Sequence, residues 1–313
     1  MLAALALMAA TASPAPLQTT IEAAGPAGAL QGTLLGSARK GGPVMLIIPG
    51  SGPTDRNGDN PMGVKASTYR LLAEGLATRG ITTVRIDKRG MFGSKAAISD
   101  GNAVTIADYA DDVTAWTKVL REKTGARCVW LLGHSEGGLV ALAAAQGRPD
   151  ICGLILVSAP GRPLGIVLRE QLKANPANAP LLDRAFAALD ELEAGKRVEA
   201  AGLPPALMPL FAPQIQGFLI SLLSYDPAKL LGSYSGPALI LQGERDIQVG
   251  RQDANRLKEA NAQARLVLLS NANHVLKAVA SEDRAANLAT YADPALPLAP
   301  GVVEAIADFV GAK

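Results

Sequence analysis

An apolar run, Val129-Trp130-Leu131-Leu132, enters Gly133-His134-Ser135-Glu136-Gly137 and leaves as the helix-forming stretch Leu139-Val140-Ala141-Leu142-Ala143-Ala144. A strand that turns into a helix within one residue is a demanding geometry. Side chains at the positions two before and two after the serine would collide, so both are glycine. The serine is held in a strained conformation and projects at the strand's end, above the N-terminus of the helix. The simpler reading of Ser135 is a turn serine that caps the helix. Both readings place the segment at the edge of a sheet covered by helices.

The rest of the chain repeats that alternation. Short apolar runs occur at Ala29–Leu35, Val44–Ile48, Thr82–Ile86, Cys128–Leu132, Leu154–Val157, Ala238–Leu241 and Arg265–Leu269. Several are apolar throughout, as expected of strands buried on both faces. Helical periods separate them. Tyr69, Leu72 and Leu76 form one stripe within Ser67–Arg79, and Tyr109, Val113, Trp116 and Leu120 form another within Ile106–Lys123. Further helices are expected over Leu139–Gln146, Arg251–Ala262 and Val302–Val310. The pattern predicts an α/β protein with a mostly parallel sheet and helices on both faces. Thr20–Leu35 departs from it, reading as antiparallel strands around Gly25-Pro26-Ala27-Gly28. Residues 161–235 depart again: they are helical, Pro-punctuated and too long for a structureless loop. They predict a helical cap inserted over the carboxyl edge of the sheet, between core segments 13–160 and 236–313.

Composition removes several functions. Thirty basic and 28 acidic residues, with no dense Lys/Arg run, leave no electrostatic footprint for nucleic acid. The chain has two histidines, His134 and His274, and two cysteines, Cys128 and Cys152, too few for a multi-histidine metal site or a zinc knuckle. The expected chemistry needs neither metal nor organic cofactor.

A serine hydroxyl attacks only with a base in reach. His134 adjoins Ser135 in an extended segment, where successive side chains point to opposite sides, so it reads as a packing residue with a satisfied imidazole. His274 follows the apolar run Leu266–Leu269 in the polar loop Ser270-Asn271-Ala272-Asn273-His274, and it is the expected base. The carboxylate that would orient it is expected at Asp246, after Gln242-Gly243-Glu244-Arg245, with Asp253 and Glu244 as rivals. Two amide donors are needed for a developing oxyanion. One is expected from Glu136. The other is expected from Ser51 or Gly52, in the loop Pro49-Gly50-Ser51-Gly52-Pro53-Thr54-Asp55-Arg56-Asn57-Gly58. The Glu136 carboxylate would oppose that charge, so it should turn away or meet a cation, with Arg56 the candidate.

IIPGSGPTDRNGDNP, IDKRGMFGS, LLGHSEGG, LQGERD and NANHVL, in that order, resemble the α/β-hydrolase superfamily, and within it bacterial serine esterases. The resemblance covers nearly the whole chain after a leader. It implies an eight-stranded, mostly parallel sheet, a cap after the sixth strand, and Ser135, Asp246 and His274 as a catalytic triad. It implies cleavage of a small-molecule carboxylic ester through an acyl-enzyme on Ser135. Amide or peptide hydrolysis, or acyl transfer, by the same triad is the alternative, and a non-catalytic binder of this fold is the third reading. The HGGG-type oxyanion motif is absent. Leu207, Phe211, Phe218 and Leu222 in the insertion suggest an apolar acyl pocket, or the packing of the cap itself.

The amino end carries Leu2-Ala3-Ala4-Leu5-Ala6-Leu7-Met8-Ala9-Ala10, then Ala10-Thr11-Ala12 and a Pro-containing exit. Residues 1–12 are expected to be a signal peptide, although no basic residue precedes the run. The expected location is periplasmic or secreted, with a cytoplasmic protein as the alternative. No stable membrane insertion is expected, since the run is shorter than the roughly 20 residues a span needs. Cys128 and Cys152 open neighbouring strands. They are expected to act as two small buried thiols, while an oxidising compartment would allow them to bond.

Overall fold

The computed structural model describes residues 18–37 and 41–311; the expected leader, 1–12, lies outside them. Eight strands form one sheet: β1 (Gln18–Ala24), β2 (Ala29–Leu35), β3 (Val44–Ile48), β4 (Thr82–Ile86), β5 (Val129–His134), β6 (Ile151–Val157), β7 (Ala238–Gly243) and β8 (Arg265–Leu269). Their order is β1-β2-β4-β3-β5-β6-β7-β8. The β1–β2 and β2–β4 pairs are antiparallel and the rest are parallel. β2, β3, β4 and β8 run between the residues that their apolar patterns predict. The central strands read as unbroken apolar runs because both faces are covered: every residue of β3 and β7 is buried.

The helices in the first half are α1 (Thr68–Thr78), α2 (Ile106–Thr124) and α3 (Glu136–Ala144). Leu72 and Leu76 of α1 pack on one face of the sheet, together with Val302 and Ile306 of the last helix, α11 (Val302–Phe309). Trp116 of α2 and the apolar residues Leu139–Leu142 and Ala144 of α3 cover the other face. Thr105 opens α2 with a capping box to Asp108. Between β6 and β7 lie α4 (Leu164–Lys173), α5 (Leu182–Glu193), α6 (Met208–Phe211), α7 (Pro213–Leu223) and α8 (Pro227–Ser233), and after β7 come α9 (Arg251–Ala260) and α10 (Arg284–Ala289). The apolar residues of α5 to α8 join the α2–α3 core in one continuous cluster. Among the described residues no single helix is long and apolar enough to cross a membrane.

β3 lies between β4 and β5, so successive crossovers leave it in opposite directions. The loops leaving the carboxyl ends of β3 and β5 therefore diverge and frame a crevice, the usual place for a ligand in an open parallel sheet.

Cys128 and Cys152 are bonded to each other, with Cα atoms 5.1 Å apart, in place of the two thiols expected. The β5–β6 pairing passes from Val129–Ile151 to Trp130–Gly153. Cys152 is thus an extra residue in the ladder, and the irregularity brings it to Cys128 at the amino edge of the sheet. Gly153 is required there, because a Cβ on it would lie 2.3 Å from the Trp130 ring.

Candidate active site

Ser135 sits between β5 and α3 at φ 54°, ψ −124°, a region that costs a non-glycine residue roughly 1–3 kcal/mol. Its own amide donates to Val157 O at 2.9 Å, which ties the bend to β6. The flanking glycines are steric necessities. A Cβ on Gly133 would stand 2.2 Å from Gly137 O, and one on Gly137 would stand 2.3 Å from Ile48 O. The sequence pattern and the strained backbone are therefore one feature seen twice.

His274 follows β8 and Asp246 follows β7. They meet at 2.8 Å, His274 Nδ1 donating to Asp246 Oδ2. The other carboxylate oxygen, Oδ1, accepts from the amides of Gln248 and Val249 at 2.8 and 2.9 Å. Burial of the whole carboxyl opposes its charge, but the His274 ring and these amide bonds prevail, and its pKa lies below the ordinary aspartate value. Nε2 of His274 and Oγ of Ser135 have no hydrogen-bond partner among the described residues. Both residues line one cavity of about 210 Å³.

The loop after β3 forms the opposite wall of that cavity, through Gly50, Ser51, Gly52, Asn60 and Met62. Asp55 Oδ1 accepts from the amides of Asn57 and Asp59, and Asp59 Oδ1 from that of Ser67, so the loop is held by its own Asx turns. Its inner end is clamped twice. Gly50 N–H donates to the Tyr69 hydroxyl at 2.9 Å, and Gly50 O accepts from Lys88 Nζ at 2.7 Å. A Cβ on Gly50 would lie 3.2 Å from that of Ser135, so the loop backbone passes directly beside the serine. The amides of Ser51, Gly52 and Glu136 are not engaged by any described residue.

The family model described as the alpha/beta hydrolase family matches residues 45–290. The chain belongs to the alpha/beta hydrolase family. Esterase EstD of Thermotoga maritima is 29% identical over 238 residues, which are 75% of this chain and 54% of that protein. Lysophospholipase L2 of Escherichia coli K12 is 32% identical over 104 residues, 32% of this chain and 30% of that one. The chain therefore spans about half the length of EstD and less of the lysophospholipase. Among solved structures, Est1E from Butyrivibrio proteoclasticus shares the fold with a TM-score of 0.56 at 17% identity, covering 93% of this chain and 99% of that one.

The structure brings Ser135, Asp246, His274, Ser51, Gly52 and the Glu136 amide to one place. It leaves the rival carboxylates elsewhere: Asp253 pairs with Arg162, and Glu244 with Arg251. Arg56, the cation expected from sequence to meet Glu136, is not its partner. It is bound to Asp87, while Lys88 meets Glu136 at 3.4 Å. Leu207, Phe211, Phe218 and Leu222 do not line the cavity at Ser135. Leu207, Phe211 and Leu222 are at most 3% exposed, within the core cluster, and Phe218 stacks edge-on against Tyr109. The apolar stripe that suggested a pocket is consumed by packing of the insertion onto α2 and α3. The cavity walls come instead from the β3 loop, Gln248, Val275 and Tyr291. No local signal marked Gln248 or Tyr291, which reach the site from separate loops.

His134 is satisfied, as its position suggested. Nε2 donates to the carbonyl of His274 at 2.8 Å, and Nδ1 accepts from the Tyr69 hydroxyl at 2.9 Å. A carbonyl can only accept, which assigns the proton to Nε2. Burial, and secondarily the charge of His274, pushes the His134 pKa down to about 3 from 6.5. Between these values the unfolded chain holds a proton that the native protein does not. Stability from this group is present above pH 6.5 and is lost as pH falls toward 3, by up to about 1.4 kcal/mol per pH unit. Urea unfolding of wild type and His134→Gln between pH 4 and 6 should show the variant's slope smaller by about one proton. Equal slopes would refute the assignment.

Proposed function

We propose that this hydrolase cleaves carboxylic esters through an acyl-enzyme on Ser135. The observation that carries the reading is the His274 ring: its Nδ1 is committed to a buried carboxylate, and its unengaged Nε2 faces the same cavity as the unengaged hydroxyl of a strained serine. Similarity to a protein named as an esterase supports the substrate class.

Nε2 of His274 takes the Ser135 proton as Oγ attacks the ester carbonyl, and Asp246 stabilises the imidazolium. The oxyanion accepts from the amides of Glu136 and Ser51. His274 returns the proton to the departing alkoxide, leaving the acyl group on Oγ. Water then enters and His274 takes its proton. The resulting hydroxide attacks the acyl carbon, and as the second tetrahedral adduct collapses His274 returns that proton to Oγ, which frees the acid and restores Ser135. The test is turnover of a short nitrophenyl ester: the wild type should cleave it and Ser135→Ala should not.

We also propose that the protein is exported. The apolar amino end and the Cys128–Cys152 bond support this, since such bonds persist in oxidising compartments. Protein recovered from its native host should show no free thiol in denaturant; two free thiols would sink the proposal.

A further inference from the structure

Two charged side chains lie buried directly behind the cavity, where charge is expensive. Lys88, at the carboxyl end of β4, and Glu136, the first residue of α3, are 5% and 4% exposed and meet at 3.4 Å. The lysine ammonium also donates to Gly50 O at 2.7 Å and faces the Tyr109 ring at 5.5 Å. Each of its two polar partners belongs to a residue at one side of the oxyanion site. Gly50 carries the carbonyl of the peptide whose N–H is that of Ser51. Glu136 carries the other donor amide on its own backbone.

We propose that Lys88 is a positioning residue that joins the two halves of the oxyanion hole, orienting the Gly50–Ser51 peptide through its carbonyl and neutralising the Glu136 carboxylate. The proposal rests on the acyl-enzyme reading above. In a trans peptide the C=O and N–H point in opposite directions. An ammonium holding the carbonyl of residue 50 from the sheet side therefore turns the N–H of Ser51 the other way. The Tyr69 hydroxyl holds the preceding amide of Gly50, so the peptide is held on its Gly50 side as well as at its carbonyl. A cation on the carbonyl also polarises the peptide and strengthens the N–H as a donor. The second effect concerns Glu136. An uncompensated carboxylate in the first turn of α3 would repel the oxyanion that its own amide is meant to receive. Lys88 cancels that repulsion without occupying the cavity: it does not line it.

The experiment compares wild type with Lys88→Met/Glu136→Gln, which removes both charges together and leaves neither buried alone. The concentration of competent sites is set by phosphonate titration of Ser135. Expected are a kcat lower by about 10²-fold, the scale of one lost oxyanion donor, and a KM within about threefold of wild type. Binding of an aryl trifluoromethyl ketone, whose serine adduct carries the oxyanion, should weaken by the same factor as kcat/KM. The acidic limb of the pH profile should not move, because the His274–Asp246 pair is untouched. A folded double variant with kcat and ketone affinity within threefold of wild type would overturn the proposal. Should the double variant not fold, Lys88→Gln, whose amide has the same donor type but no charge, is judged by the same threshold. A wild type without Ser135-dependent turnover removes the parent reading and this proposal together. Ser135-dependent turnover that is indifferent to Lys88 removes this proposal alone.

Discussion

Ser135→Ala should lose about a million-fold in kcat on a nitrophenyl ester, the scale seen when an acyl-enzyme nucleophile is deleted. It should keep its folding stability to within about 0.5 kcal/mol, the range for changes that break no packing or bonding feature. The two expectations have separate causes. The Ser135 hydroxyl has no hydrogen-bond partner among the described residues, so its removal orphans nothing. Alanine inherits φ 54° and ψ −124° with the same Cβ, so the backbone strain is also unchanged. Ser135→Gly differs in just that respect. It should be equally inactive but more stable than wild type by about 1 kcal/mol, because glycine relieves most of the strain and returns part of the gain as chain entropy. Urea unfolding of the three proteins gives the order, and a fluorophosphonate probe should label the wild type alone. Residual turnover above one part in a hundred in the alanine variant would remove Ser135 from the mechanism. A glycine variant less stable than wild type would remove the strain.

The parts of this protein legible in its sequence are those whose causes are local. β2, β3, β4 and β8 begin and end where their apolar runs do; in β3 the cause is plain, since burial of every residue leaves no polar alternation to blur the boundaries. The elbow is legible because one of its clashes, Gly133 against Gly137 O, is between residues four apart in the chain, although the other, Gly137 against Ile48 O, is not local. His274 was reachable because only two histidines exist and His134, next to the serine in an extended segment, reads as a packing residue. Tyr69 and Lys88 were not. Tyr69 falls on the same stripe as Leu72 and Leu76, and nothing in a helical period shows that its hydroxyl bridges Gly50 and His134 across 65 residues. Lys88 reads as a solvated charge after a strand until β3 and α3 close over it. The insertion misled for the converse reason. An apolar helix face looks the same whether it will touch a substrate or a neighbouring helix, and for Phe211 and Leu222 the neighbour was α2–α3 packing rather than the cavity.

Asp246→Asn should lower kcat by about 10⁴-fold while leaving the site almost unmoved. The size follows from which proton each atom must hold. Oδ1 of Asp246 accepts two amides, from Gln248 and Val249, and Oδ2 accepts His274 Nδ1–H. An asparagine has a single acceptor oxygen. Two backbone donors, fixed by the turn after β7, claim it. The side-chain NH₂ is then aimed at His274 Nδ1, which must surrender its proton and become an acceptor. The imidazole proton moves to Nε2, the nitrogen that has to be bare to receive the proton of Ser135. Catalysis then waits on the minor tautomer, and the imidazolium has lost its counter-charge when it does form, a combined penalty of that order for an orienting carboxylate. Because the orphaned group is the base and not the nucleophile, rate should recover as pH rises, when hydroxide can take the serine proton directly; Ser135→Ala should show no such recovery. Substrate binding at the cavity wall is untouched, so KM should stay within about threefold. Kinetics of both variants from pH 6 to 10 separate these cases. An Asp246→Asn protein that is folded and keeps more than a tenth of wild-type kcat at neutral pH would show that His274 does not depend on this carboxylate for its tautomer.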